Sequence, residues 1–211
     1  MACARLRLGI GGVLLLVLFA SCVTKDRQHR VVVSVADQAM DVYYRQHQVA
    51  RYQISTSKFC LGDAPGSCGT PLGRLEIAKK IGAGAPLGTV FKDRKPTGEI
   101  LKPDTPGRDP IVSRILWLKG LEPGNRNAYG RCIYIHGTPE ERNIGRPASY
   151  GCIRMRSRDV AHLFRTVGVG AEVDVMPGPL PDPNLRRTPT PTAAAQASVA
   201  LSRATDRIPE R

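Results

Sequence analysis

Residues 131–156 read RCIYIHGTPEERNIGRPASYGCIRMR. The short apolar run Cys132-Ile133-Tyr134-Ile135 predicts a strand that delivers His136 and Gly137 at its end. Twelve residues later comes Ser149-Tyr150-Gly151-Cys152-Ile153-Arg154. A cysteine attacks as thiolate, so its pKa must fall from about 8.5 towards neutrality, and a neighbouring imidazole can take the proton. His136 and Cys152 are therefore read as base and nucleophile, with a persistent thiolate–imidazolium pair expected. A base at a strand end stays fixed yet exposed. Its second ring nitrogen needs a partner, and the carbonyl near Gly137 is the candidate, because Glu140 and Glu141 fall in a polar loop. Gly151 keeps the approach open and lets main-chain N–H groups face a developing oxyanion; those of Gly151 and Cys152 are the expected donors, with Tyr150 as a third. Arg154 shares the Cys152 side of an extended segment, where it steadies the thiolate or holds a substrate carboxylate. Alone, a Cys is commonly a small buried hydrophobe and a strand-end His a structural one. The two glycines and the arginine tilt the balance towards chemistry.

Outward from this stretch the chain alternates short strands and turns. Upstream, Val31–Val35, Ala39–Tyr44, Val49–Thr56, Arg74–Ile81 and Ile111–Leu118 are strand-like. His47 reads as a solvated hairpin residue, and Trp117 as core filler. The Gly- and Pro-rich segment from Gly82 to Asn127 is long for a connection and is expected to form a wall or lid of a binding site. Downstream, Ser157 is placed as the cap of a helix whose Val160, Leu163, Phe164 and Val167 recur at helical spacing, with His162 in a structural role. Ala171–Met176 is a last strand. The fold class is mainly β, with one confident helix near the end. Zinc-type clusters, P-loops and dinucleotide glycine motifs are not found in the sequence.

Both ends of the 211-residue chain look separate from this fold. Arg5 and Arg7 precede an uncharged run from Leu8 to Ala20, a secretory signal in length and flank. Leu18-Phe19-Ala20-Ser21-Cys22 resembles a lipoprotein cleavage site, which makes residues 1–21 the signal and Cys22 the lipidated residue; a plain signal or an uncleaved anchor are the alternatives. Residues 22–30 are read as a linker, 31–176 as the domain and 177–211 as a Pro/Ala-rich disordered tail. The formal charge is +13. Behind an export signal it suits an anionic envelope polymer better than nucleic acid, or serves solubility alone. Export also permits disulfides. With Cys152 kept free as nucleophile, Cys60 and Cys68, which flank a turn-rich loop, are the natural pair, although other pairings stay open.

His136-Gly137-Thr138, Ile144-Gly145-Arg146-Pro147 and Ser149-Tyr150-Gly151-Cys152-Ile153-Arg154-Met155 together resemble the signature of the L,D-transpeptidase (YkuD-type) catalytic domain. The likeness extends to the Val31–Thr56 strands, Thr70-Pro71-Leu72-Gly73, Arg114-Ile115-Leu116 and Gly120-Leu121-Glu122-Pro123-Gly124. It implies a β-sandwich-like domain with one or more short helices. It also implies Cys152 as nucleophile, His136 as general base, the Gly137 carbonyl as third member, and Arg154, Ser149 and Tyr150 as substrate contacts. The implied reaction attacks peptidoglycan stem tetrapeptides at the bond between the third residue, often meso-diaminopimelate, and the terminal D-Ala. A thioester on Cys152 is then resolved by an amine of another stem into a 3–3 cross-link. The resemblance implies that no metal or organic cofactor is needed. Alternatives of the same chemistry are an L,D-carboxypeptidase or an enzyme that anchors lipoproteins. A different class is a non-catalytic peptidoglycan-binding lipoprotein. Many members carry His where this chain has Tyr150. The expected partners are peptidoglycan and, through Cys22, a membrane, in the periplasm or cell envelope.

Overall fold

The structure is a computed structural model that describes residues 24–181. The signal segment, Cys22 and most of the Pro/Ala-rich tail lie outside the described residues. Ten strands form one mixed sheet. They are β1 (His29–Ser34), β2 (Ala39–Tyr44), β3 (His47–Gln53), β4 (Gly73–Ile81), β5 (Thr89–Lys92), β6 (Lys95–Ile100), β7 (Ile111–Gly120), β8 (Tyr134–Gly137), β9 (Ile153–Met155) and β10 (Glu172–Met176). Among the described residues a single α-helix, α1 (Ser157–Thr166), lies between β9 and β10. One path across the sheet runs β3-β2-β1-β10-β4-β7-β8-β9. Its two ends meet: Ser55, just past β3, exchanges both backbone hydrogen bonds with Arg154 of β9, at 2.9 and 2.8 Å. The sheet thus doubles back and encloses its own core.

Alternation along the strands decides what enters that core. Val31 and Val33 of β1, Leu75 and Ile77 of β4, Leu116 and Leu118 of β7, Ile135 of β8, and Ile153 and Met155 of β9 all turn inward and are buried. The helix completes this interior with Val160, Leu163 and Phe164, the residues picked out by helical spacing. Ser157 is the first helical residue rather than the cap; Arg156 occupies the cap position and makes no side-chain capping bond.

The opposite face of β7 and β8 builds a second, smaller cluster from Phe91, Ile115 and Tyr134, with Trp117, Cys132 and Cys152 packed against it. The 82–127 segment covers this face, but it holds more than one strand. β5 and β6 form a hairpin with Asp93 and Arg94, both at positive φ, at the tip. A bulge at Ser113 (φ 68°) lets β7 pair with β5 at Ile111–Val112 and with β4 from Ile115 onward. Trp117 stacks on Tyr129 with ring centroids 4.3 Å apart and meets Tyr134 edge-on at 5.5 Å, a packing role.

Three expectations need correcting. Within the stretch read as the 22–30 linker, Asp26 is docked on the domain: its N–H donates to Val169 O at 2.7 Å, and its carboxylate accepts from Gly168, Gln28 and His29. Likewise the tail begins bound to the domain, since Ser34 Oγ donates to Gly178 O and Leu180 N to Asp37 Oδ2. Finally, Cys60 and Cys68 form no disulfide; both are free thiols. Backbone bonds close that loop instead, Thr70 N to Cys60 O at 3.2 Å and Gly62 N to Thr70 O at 2.8 Å, while Cys60 Sγ points to Ser67 O.

Candidate active site

β8 and β9 run parallel with His136 beside Arg154 and Ile135 beside Ile153. Since Ile135 and Ile153 face the main core, the period of two sends Tyr134, His136, Cys152 and Arg154 to the other face together. The predicted strand start shifts: Cys132 has a left-handed φ of 58° and donates its N–H to Tyr129 O, Ile133 N–H donates to Ala128 O, and regular pairing begins at Tyr134. Cys132 is a free, half-buried thiol.

His136 is buried, 5 % exposed, rather than presented at an open strand end. β8 is an interior strand between β7 and β9. Its Nδ1 lies 2.8 Å from Gly137 O. A carbonyl only accepts, so Nδ1 carries the hydrogen and Nε2 keeps the lone pair. Gly137 itself is required by packing: a Cβ there would stand 2.6 Å from Val112 O. Burial lowers the His136 pKa to about 4, and the neighbouring Arg154 pushes the same way against the Gly137 carbonyl and Asp109.

Cys152 is held by the backbone of the segment entering β8. Tyr134 N–H donates to its sulfur at 3.4 Å, and the thiol points to Cys132 O at 3.5 Å. Burial raises its pKa to about 11, only partly offset by the Tyr134 N–H. A thiol raised and an imidazole lowered both favour the neutral forms, where the sequence led to an expected ion pair. The cause is desolvation, which disfavours both charged forms.

The turn before Cys152 is braced from two sides. Ser149 Oγ donates to Cys152 O at 2.6 Å and accepts from Gly151 N at 3.2 Å. Gly151, at φ +117°, presses against the 60–70 loop; a Cβ there would lie 3.0 Å from Gly69 O, and Thr70 Oγ1 donates to Gly151 O at 3.0 Å. Two expectations change. Ser149 is buried (2 % exposed) and clamps the turn, so it is not an accessible substrate contact. The Gly151 N–H is taken by that clamp, whereas those of Tyr150 and Cys152 make no hydrogen bond among the described residues.

Arg154 is buried beneath this turn. Its Nη1 pairs with Asp109 and lies 3.8 Å from Glu140 Oε2. Asp109 also accepts from Thr138 Oγ1 at 2.5 Å. Tyr150 is exposed; Lys58 Nζ reaches its hydroxyl at 3.2 Å, and the Phe59 ring lies 5.2 Å away. On the other flank, Arg94 at the hairpin tip donates to Tyr134 Oη at 3.3 Å. Asp109 and Arg94 carry no sequence signal: each is a lone charged residue in a turn-rich stretch, brought in by the path of the chain.

A family model described as the L,D-transpeptidase catalytic domain matches residues 28–175. The Bacillus subtilis protein named "Putative L,D-transpeptidase YqjB" is 50 % identical over 44 residues, 21 % of this chain and 25 % of that one. The Bacillus licheniformis protein named "Putative L,D-transpeptidase YkuD" is 27 % identical over 150 residues, 71 % of this chain and 66 % of that one. Among solved structures, L,D-transpeptidase 3 from Mycobacterium tuberculosis in complex with a faropenem-derived adduct aligns at a TM-score of 0.46 and 16 % identity, over 71 % of this chain and 60 % of that one. The first of these matches thus spans only a quarter of its relative.

Proposed function

This chain belongs to the L,D-transpeptidase catalytic-domain family, and from that premise we propose that it is a cysteine acyltransferase of peptidoglycan stem peptides. In this reading the Cys152 sulfur attacks the carbonyl that joins the third residue to the terminal D-Ala of a tetrapeptide. As the S–C bond forms, Nε2 of His136 takes the thiol proton, and the oxyanion is met by the N–H groups of Cys152 and Tyr150. The C–N bond then breaks, the proton passes from His136 to the departing amine, and D-Ala leaves. A thioester remains on Cys152. An amine of a second stem, losing its proton to His136, attacks that thioester, restores the thiol and leaves a 3–3 cross-link.

The observation that carries this reading is the fixed tautomer of His136 on the strand face it shares with Cys152. Gly137 O acts as the third member by holding the ring without adding a negative charge. Neutral resting forms fit proton transfer during attack, because the imidazole is available as a base over a wide pH range. Export and lipidation at Cys22, and hence action in the cell envelope, rest on the Leu8–Cys22 sequence alone and belong to the same proposal, as does a catalytic domain over about 31–176.

Incubation of the purified protein with defined muropeptides, read by mass spectrometry, tests the reaction. Release of D-Ala with a lasting 3–3 dimer is expected. Tripeptide without dimer would instead assign water as the acceptor. Intact mass after treatment with a carbapenem or faropenem tests the nucleophile: an adduct is expected on the natural protein and not on Cys152→Ala. An adduct that persists in that variant would remove Cys152 from the mechanism.

A further inference from the structure

Beside the nucleophile turn lies a cavity of about 430 Å³ lined in part by Lys58, Asp109, Glu140, Arg146, Tyr150 and Arg154. Its two acids are already engaged. Asp109 accepts from Thr138 and pairs with Arg154. Glu140 accepts from Asn143 Nδ2 at 2.7 Å and stands 3.8 Å from Arg154. The cations are not matched in the same way. Lys58 Nζ reaches the Tyr150 hydroxyl and sits 4.5 Å over its ring. Arg146 bonds the Asn143 side-chain oxygen. Neither has a carboxylate partner among the described residues. Arg154 is 3 % exposed, yet its Nε and Nη2 have no hydrogen-bond partner. Those two nitrogens form one edge of the guanidinium, the fork that a carboxylate matches with two parallel bonds. Buried polar groups are ordinarily satisfied, so an unpaired guanidinium edge, itself sealed from solvent, beneath two unmatched cations points to a missing anion.

We propose that this cavity is a carboxylate-reading subsite, selecting stem peptides whose third residue bears a free side-chain carboxylate over those in which that group is a carboxamide. The inference rests on the peptidoglycan reading above and adds the charge of the substrate to it. Tyr150 and Arg154 line the cavity from two residues before and two residues after Cys152, so the far end of the residue whose carbonyl is attacked falls within reach. A carboxylate there meets Lys58 and Arg146 at the rim with the Arg154 charge beneath. A carboxamide has nearly the same shape but no charge, and it brings an N–H₂ donor towards cations that need an acceptor. Selection follows from that mismatch, not from size.

Isothermal titration of full-length Cys152→Ala with two synthetic tetrapeptides, identical except for acid or carboxamide at the third side chain, tests the idea without turnover. The acid should bind about tenfold tighter or more, as expected for loss of charge-assisted hydrogen bonds. Adding Lys58→Gln and Arg146→Gln should bring the ratio to about twofold while carboxamide binding stays measurable, which shows that the variant is folded. Equal affinities, or a ratio untouched by the two substitutions, would overturn the subsite. D-Ala release by the natural protein is followed in parallel. Release from both peptides at one rate sinks the subsite alone. Acid-selective binding without any release sinks the transpeptidase reading and leaves the subsite standing.

Discussion

Ile135 and His136 are neighbours on one strand and face two differently built interiors. On the Ile135 side, β8 and β9 contribute Ile135, Ile153 and Met155 to a core of aliphatic side chains that are fully buried. On the His136 side the same strands bury an imidazole and a guanidinium beside a half-buried thiol, with one edge of the guanidinium unsatisfied. The first face is explained by the removal of apolar area from water. The second is not, since desolvation alone opposes the charged forms of His136 and Cys152. Stability and the proposed chemistry thus separate by strand parity, so substitutions one residue apart should report on different properties.

The largest expected effect is on rate. His136→Ala should lower acylation by a carbapenem by about 10²–10⁴-fold, the range for loss of a positioned general base. Stopped-flow mass or absorbance would measure it. A loss below tenfold would mean that the imidazole is structural and that the two faces do not differ as argued. Its neighbour should behave oppositely. Ile135→Ala removes a fully buried side chain next to Leu116 and Ile153 and should cost about 2–5 kcal/mol in urea unfolding. The surviving folded fraction should acylate at nearly the natural rate. A rate loss as large as that of His136→Ala would erase the division.

The elements themselves were the part most legible in the sequence. Strand-like runs located most of β1, β4, β7 and β8, and helical spacing found Val160, Leu163 and Phe164. The proposed base and nucleophile could be read because their types and adjacent glycines follow from chemistry. What remained hidden depends on distant chain segments meeting. Ser55 closing the sheet on Arg154, and Asp109 reaching the same arginine, involve residues 99 and 45 positions apart with no local signal at either end. The β5–β6 hairpin was missed because Lys95–Ile100 is exposed throughout and carries Pro96 and Gly98, which break a strand pattern. Burial was hidden too: nothing local announces that the end of β8 is roofed over, so the pair was expected to be charged.

That difference gives the next test. With His136 lowered to about 4 and Cys152 raised to about 11, acylation should be nearly flat between about pH 5 and pH 9. A titrating limb near pH 6–7 would restore the ion pair. Stability supplies a second readout with a defined sign. Unfolded, the histidine takes a proton below its ordinary value of 6.5, whereas folded it does so only near 4. Between these values the unfolded state binds more protons, so stability falls as the pH drops through that window. The His136 contribution is on the order of 3 kcal/mol at one buried site. His136→Phe should flatten that part of the profile, and an unchanged slope would place the titrating group elsewhere.

The smallest effect separates two roles for one hydroxyl. Ser149 Oγ donates to Cys152 O and accepts from Gly151 N, and its side chain is buried. If it braces the turn, Ser149→Ala should cost about 1 kcal/mol of stability, the usual net worth of such a bond. The acylation rate constant should fall several-fold while apparent affinity for the β-lactam or tetrapeptide hardly moves, because released Tyr150 and Cys152 N–H groups no longer hold one direction. A hydroxyl that touched substrate would do the reverse, weakening binding and leaving the limiting rate alone. Ser149→Thr keeps the oxygen and should recover most of the rate if its added methyl is accommodated beside Thr56. Rescue of the rate with unchanged affinity would fix Ser149 as a positioning residue, held by the 54–58 segment through the Thr56 carbonyl rather than by anything in the cleft.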